Sequence, residues 1–477
     1  MTNIEKGLQL PERLHARNDN GSHHYKRDSL STTCSSTPFA CDPLQKELVP
    51  NGLESGTEIY PQRKRYLTVF GAFLSLLCTF GQMNSFGTFQ TWYSIHQLDG
   101  LPSSTISWIG SLQLWVFFFS GSAIGYLFDL YGPTVLMACG TVCFVLSAVL
   151  TSISTHYYHY ILSQGILFGV GVGLLATALG IAAGGSSLGG VLYPLLLRSL
   201  FEHVGFGWTM RIIALISLVL CGIATIMVSS PEKSTGLKNV PGKDKDCSAF
   251  SRCLRVFGLN DSRFLLLILG SCLVALGLFI PIFYLSSFTH ETLSISSSTS
   301  FLVIAALNAG GIFGRVAPAI VSDRLGHYNI LAPSAFLSGL LVLTAWFIPA
   351  SKAEELLMHL RTTGESSPTS SMHGTLVPVL IFAVLYGVSS GAFISLINPC
   401  VVKITDDIKT VGRRIGFFYT VISFPSLVGG PIAGALLSSE HGSYHGMILF
   451  SGITLVIGSF FIFAARLAVD PRIRAQV

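Results

Sequence analysis

The chain reads as long apolar runs broken by short polar stretches. Runs of about 20 residues, the length a helix needs to cross ~30 Å of hydrocarbon at 1.5 Å per residue, fall at 66–88, 105–127, 134–153, 159–176, 177–197 and 208–229. Six more follow at 264–288, 298–320, 329–348, 376–400, 414–437 and 446–467. Strands of a membrane barrel would instead alternate over about ten residues. The pattern predicts an all-α membrane protein with twelve intended spans in two six-helix halves, 66–229 and 264–467. The polar residues 1–65 read as a disordered cytosolic tail, 230–263 as a cytosolic linker and 468–477 as a cytosolic C-terminus.

Composition agrees with this class. Half of the 477 residues are hydrophobic and only 11% are charged, against about a quarter in soluble chains. The formal net charge of +5 is distributed by topology. Lys and Arg gather in the tail ("PQRKR"), in the linker (Lys233 to Arg255), in the loop holding Lys403, Lys409, Arg413 and Arg414, and at the C-terminus. The stretches 93–104, 154–158, 289–297 and 438–445 contain neither Lys nor Arg. By the positive-inside rule both termini and the linker face the cytosol. No basic stripe is interleaved with exposed aromatics, so nucleic acid is not an expected partner. The expected partners are the lipid bilayer and a small-molecule substrate.

The ten cysteines are scattered and the His pairs lack metal-ligand spacing, so no metal is expected. There is no phosphate-binding Walker loop and no Ser, His and acid combination in a recognisable context. An enzyme, an ATP-driven pump and a cofactor-dependent protein are therefore all disfavoured.

One segment resists a simple reading. No Asp, Glu, Lys or Arg occurs between Asp129 and Arg198. An even number of crossings must separate the basic tail from the basic linker, so 159–197 must hold two. Two crossings need roughly 40 residues plus a turn, which leaves almost no room for the turn. The spans are expected to be shortened here, in a strained hairpin with Gly184 and Gly185 near irregular backbone. In the second half, "KITDDIKTVGRR" separates spans 10 and 11, and no equivalent charged loop stands between spans 4 and 5.

Two short motifs carry a resemblance. "GYLFDLYG" follows span 2 and "AIVSDRLG" follows span 8. With twelve spans in two halves, they resemble the major facilitator superfamily and its loop signature Gly-x-x-x-Asp-Arg-x-Gly. Gly125, Asp129 and Gly132 match in the first copy, and Asp323, Arg324 and Gly326 in the second. The resemblance implies a gating role for these loops, with the carboxylates either capping helix ends or biasing which side of a transporter is open.

Within that superfamily the chain is similar to the monocarboxylate porters, especially fungal ones. "NSFGTFQTWY", "ILFGVGVGLL", "LGIAAGGSSLGGVLYPLLL", "GFGWTMRI" and "VGRRIGFFYTVISFPSLVGGPIAGALL" carry this likeness. It implies a secondary transporter of the plasma membrane, with protons as a candidate coupling ion. It also implies a cytosolic loop between spans 4 and 5 that this chain lacks, as an incorrect gene model would produce. Animal members pair a Lys in span 1 with an Asp and an Arg in span 8. Here Ser85 and Gly311 stand at the Lys and Asp positions, and Arg315 alone remains. That shifts the expectation from proton-coupled monocarboxylate uptake toward alternating-access transport of an organic acid or related lipophilic metabolite, including export of a secondary metabolite. A non-transporting nutrient sensor is the alternative of a different class.

Substrate sites of such carriers lie near the bilayer midplane between the halves, where an ionisable group is costly and so faces a cavity or a partner. Arg315 is the foremost candidate, either for an anionic substrate or, by snorkelling, for the cytosolic face. Asn84, Gln113, Asn308 and Asn398 are polar groups in apolar runs, placed to bind substrate or a neighbouring helix.

Overall fold

A computed structural model describes residues 62–177, 184–228, 259–293, 295–363, 369–405 and 411–472. The tail, most of the linker and the extreme C-terminus lie outside the described residues, as do 178–183. Among the described residues every regular element is helical, and eleven helices are long and apolar enough to cross a bilayer. One of them, Gly185–Met227, has 43 residues, or about 65 Å of helix, twice the hydrocarbon thickness. It reverses at Gly205, whose φ of 76° breaks the helix and which, lacking a Cβ, adopts that conformation without steric penalty. Gly185 packs against Phe73, and Gly71 against Ala224 and Val228. Both ends of this long helix therefore lie beside the same end of span 1, and the chain makes twelve crossings.

Span 1 comprises Gln62–Asn84 and Phe86–Ile95, hinged at Ser85, whose hydroxyl donates to the Gly81 carbonyl at 2.7 Å. Spans 2 and 3 form Ser103–Ser152, turning at Gly132 (φ 75°). Span 4 runs from Tyr157 through a π-helical stretch, Ile161–Leu167, to Thr177. Spans 5 and 6 are the two arms of Gly184–Met227.

In the second half, span 7 is Ser262–Leu278 and Ile280–Glu291, broken at Phe279 just before Pro281, which has no N–H to continue the helix. Span 8 is Ser297–Leu325, ending at Gly326 (φ 95°). Span 9 comprises His327–Leu341, a π-helical Val342–Trp346 and Phe347–Thr363. Spans 10, 11 and 12 are Thr369–Ile404, Val411–Ser439 and His445–Val469.

Small residues set the packing inside each half, because helices in lipid associate through close backbone approach. Gly169 and Gly173 of span 4 meet Val116, Ile124 and Ser120 of span 2. Gly310 and Gly314 of span 8 lie against the Val384 and Val388 carbonyls of span 10. Span 2 with span 4 and span 8 with span 10 are equivalent pairs of a repeated half.

The crowded junction resolves differently from the expectation. Gly184 and Gly185 are the first described residues of the span 5 helix, and the backbone just before them, 178–183, lies outside the described residues. Span 5 is displaced toward the C-terminus, taking in Arg198 and Glu202, and the expected stretch between residues 197 and 208 shrinks to a turn at Gly205. Span 4 keeps a full 20-residue crossing, Tyr157–Ala176. Span 9 likewise extends to Thr363, through part of what reads in sequence as a loop.

Candidate functional site

The two halves meet along three seams: spans 1 and 7, spans 2 and 11, and spans 5 and 8. At the face where span 1 ends, at Ile95, all three are shut. Gly87 of span 1 lies against the Ile282 carbonyl, Phe86 meets Phe283 at 5.1 Å, and Thr91 and Ser287 share a 3.1 Å hydrogen bond. Gly434 packs on the backbone of Ser104, and Phe201 on Phe301 at 6.4 Å.

Deeper in the bundle, the span 5–8 seam brings polar groups together. Asn308, Gly311 and Arg315 fall on one helical face by their spacing, opposite Gly190, Ser187 and Ser186. Arg315 is 8% exposed and donates through a terminal nitrogen to the Ser186 hydroxyl. Its Nε is buried without a hydrogen-bond partner, as is the Ser187 hydroxyl. Among the described residues no carboxylate forms an ion pair with Arg315. Gly311, one turn away, leaves a Cβ at that position 3.5 Å from the Ser187 hydroxyl, an ordinary contact. Asn308 donates to the Ile304 carbonyl of its own helix at 3.0 Å, and its side-chain oxygen lies against Gly190.

The other polar candidates divide. Asn84 is buried at the span 1 hinge with its Nδ2 unpartnered, and neighbouring Gln82 has neither amide atom bonded. Gln113 is buried on span 2, where its backbone carbonyl faces Gly169 of span 4. Asn398 accepts from the Tyr419 hydroxyl at 2.8 Å, a bond between spans 10 and 11. The structure thus brings Arg315 and Asn308 together with Ser186 and Ser187. No described contact joins that group to Gln113 or Asn398. The two serines carry no sequence signal, since Ser is common in these spans.

The motif loops lie at the opposite face, where span 1 begins at Gln62. Gly132 and Gly326 are the turns between spans 2 and 3 and spans 8 and 9, both at positive φ. Gly125 faces open space. The side chain of Asp129 lies outside the described residues. Asp323 and Arg324 are exposed, and neither forms a described ion pair. Nearby, Asp261 caps span 7, accepting from the Arg263 amide at 3.1 Å and pairing with Arg263 at 2.9 Å and Arg414 of span 11 at 3.5 Å. Burial alone would raise the Asp261 carboxyl, but the Arg263 hydrogen bonds and charge, helped by Arg414, hold it below the usual carboxylate range.

Residues 174–360 match the Major Facilitator Superfamily. The chain is 35% identical over 426 residues to the MFS-type transporter pynF of Aspergillus niger, covering 86% of this chain and 90% of that one. It is 34% identical over 458 residues to the agnestins efflux protein AgnL12 of Paecilomyces divaricatus, covering 93% of each. The MFS transporter asaE of Aspergillus flavus is also 34% identical, over 418 residues, covering 84% of this chain and 86% of that one. Among solved structures the fold matches the nucleoside transporter NupG with a TM-score of 0.60 at 13% identity, over 84% of this chain and 99% of that one. The chain is therefore a multi-pass membrane transporter of small molecules, not an enzyme, and belongs to the major facilitator superfamily among the fungal MFS-type transporters.

Proposed function

We propose that the protein exports an anionic, lipophilic metabolite across the plasma membrane of a fungal cell by alternating access, with both termini cytosolic. The observation that carries this reading is Arg315. A guanidinium held between the halves, with its Nε unpartnered and, among the described residues, no carboxylate paired to it, is available to a carboxylate or other anion. A buried polar group without a partner costs about 1–3 kcal/mol, which substrate or water at this point would relieve. Export is favoured over uptake because one relative is named for efflux of a metabolite and because the Lys and Asp positions of proton-coupled monocarboxylate porters hold Ser85 and Gly311. With both termini cytosolic, the closed far-face seams are read as the external mouth, and this conformer as the one that would load from the cytosol.

Metabolite profiling of cells and medium, with and without the gene, tests export directly. Arg315→Ala should abolish the difference while membrane insertion persists. Arg315→Lys should restore little, because a point charge does not reproduce a two-pronged contact. An unchanged extracellular profile on deletion overturns export, and undiminished transport by the alanine variant removes Arg315 from the site.

A further inference from the structure

Across the bundle from Arg315, the span 2–11 seam is built from aromatic rings. Phe118 of span 2 and Tyr419 of span 11 stack at 5.4 Å with an interplanar angle of 4°. Phe118 also meets Phe279, the residue at the span 7 break, at 6.4 Å. All three rings are only half-buried. Their neighbours Phe119 and Phe424 are exposed and touch each other at 6.1 Å, which places that pair on the bilayer side of the seam. Phe118 and Tyr419 instead contact spans 7 and 10, toward the interior.

Depth is close as well. Phe118 lies 13 residues before Tyr131 and Arg315 ten before Leu325, the last residues ahead of the turns at Gly132 and Gly326. At 1.5 Å per residue these are depths of about 20 and 15 Å. A guanidinium on one seam and a stacked pair of rings on the other therefore stand within about one helical turn of each other in depth, each seam contributed by both halves. The Tyr419 ring is fixed by its bond to Asn398, so it presents a set plane.

We propose that the transported anion is aromatic: a planar ring system placed against Phe118, Tyr419 and Phe279, with its carboxylate or phenolate on Arg315. This rests on the reading of Arg315 as the anion site and adds the class of molecule. Ring-on-ring contact favours planar over saturated rings of equal charge, so the aromatic seam sets selectivity and Arg315 sets charge.

The test uses the full-length protein in nanodiscs, with equilibrium dialysis of 1-naphthoate and its saturated counterpart decahydronaphthalene-1-carboxylate, and empty nanodiscs to subtract partitioning. The wild type should prefer the planar acid by about tenfold. Tyr419→Leu and Phe118→Leu should bring the two affinities to within about threefold of each other, and Tyr419→Phe should keep the preference. Arg315→Ala should abolish binding of both acids. Monodispersity and thermal melting confirm that each variant is folded. Equal binding of the two acids by the wild type, with both lost in Arg315→Ala, overturns the aromatic assignment and leaves the anion site standing. A preference that survives both leucine variants also overturns it. Binding of both acids that survives Arg315→Ala overturns the anion site itself, and no binding of either acid by the wild type overturns the proposal.

Discussion

Gly87→Ala should hold the carrier open at the face where span 1 ends. A Cβ at this position would sit within 3.0 Å of the Ile282 carbonyl oxygen, a distance real Cβ atoms essentially never adopt, and 3.1 Å from the Phe283 carbonyl. Both are backbone atoms, so no rotamer change relieves the clash. Restoring an ordinary 3.4 Å contact from below 3.0 Å requires the end of span 1 to retreat from span 7 by at least 0.4 Å. The 3.1 Å bond between Thr91 and Ser287, one turn along, lengthens with it. Overpacking of this kind costs about 1–3 kcal/mol, and the cost falls only on the closed state. The equilibrium should move toward the outward-open form by about 5- to 150-fold. The assay is labelling of Ser287→Cys, buried at 4% exposure, by a membrane-impermeant maleimide in a cysteine-free background. Gly121→Ala, where a Cβ meets nothing within 4 Å, is the control. A labelling rate unchanged by Gly87→Ala would refute the identification of this seam as the gate.

Three further outcomes follow from the geometry. Gly311→Asp should fit, since a Cβ there meets only ordinary contacts, and its carboxylate would pair with Arg315 one turn on; anion binding should fall and become dependent on proton concentration, which equilibrium binding at two pH values reads out. Asp323→Asn should slow net flux more than substrate exchange, because the exposed loop carboxylate is assigned to the balance between states rather than to binding; loss of binding with normal cycling would contradict that role. Asp261→Asn should flatten the acid limb of thermal stability. The folded-state carboxyl titrates below its unfolded value of about 3.9, so its contribution is complete above that pH and lost as pH falls through the lower folded value; a melting profile with the same acid slope in both proteins would rule this out.

The division into spans was legible because a bilayer accepts only closed, apolar helices, and composition marks them. Turns inside an uncharged run leave no such mark. Between Asp129 and Arg198 the charge of the flanking segments fixes how many crossings there are, but nothing marks where each begins, so span 5 reads seven residues early. Arg198 and Glu202 resemble loop residues, yet long charged side chains near a helix end reach the interface while their stems stay apolar. Gly132 and Gly326 were legible as turns through their motif. Gly205 makes a turn of the same conformation without one. At the site, a lone charge in an apolar run exposed Arg315 to sequence reasoning. Ser186, Phe118 and Tyr419 stayed hidden because Ser and Phe are ordinary in membrane helices, and only their partners across the seams distinguish them. Asn398 shows the converse: its polarity was visible, but its bond to Tyr419 is not written in its own neighbourhood.

The closed seam also carries its own opposition. Gly87, Thr88 and Thr91 share one face of span 1 by their spacing, and the hydroxyls of Thr88 and of Ser286 on span 7 are buried without partners. Each orphaned hydroxyl costs about 1–3 kcal/mol when dry and little once water enters the open mouth. Close glycine packing favours closure and the orphaned hydroxyls favour opening, which keeps two states within the few kcal/mol that cycling needs. Thr88→Val retains the shape and removes the hydroxyl, so it should act opposite to Gly87→Ala, lowering maleimide labelling at position 287 by about fivefold or more. Ser286→Ala should do the same. Combined with Gly87→Ala, either change should restore part of the lost closure and bring transport back toward the wild-type rate. If the hydroxyl-free variants label faster than the wild type, the hydroxyls are bonded in the closed state, and the balance must be set elsewhere in the seam.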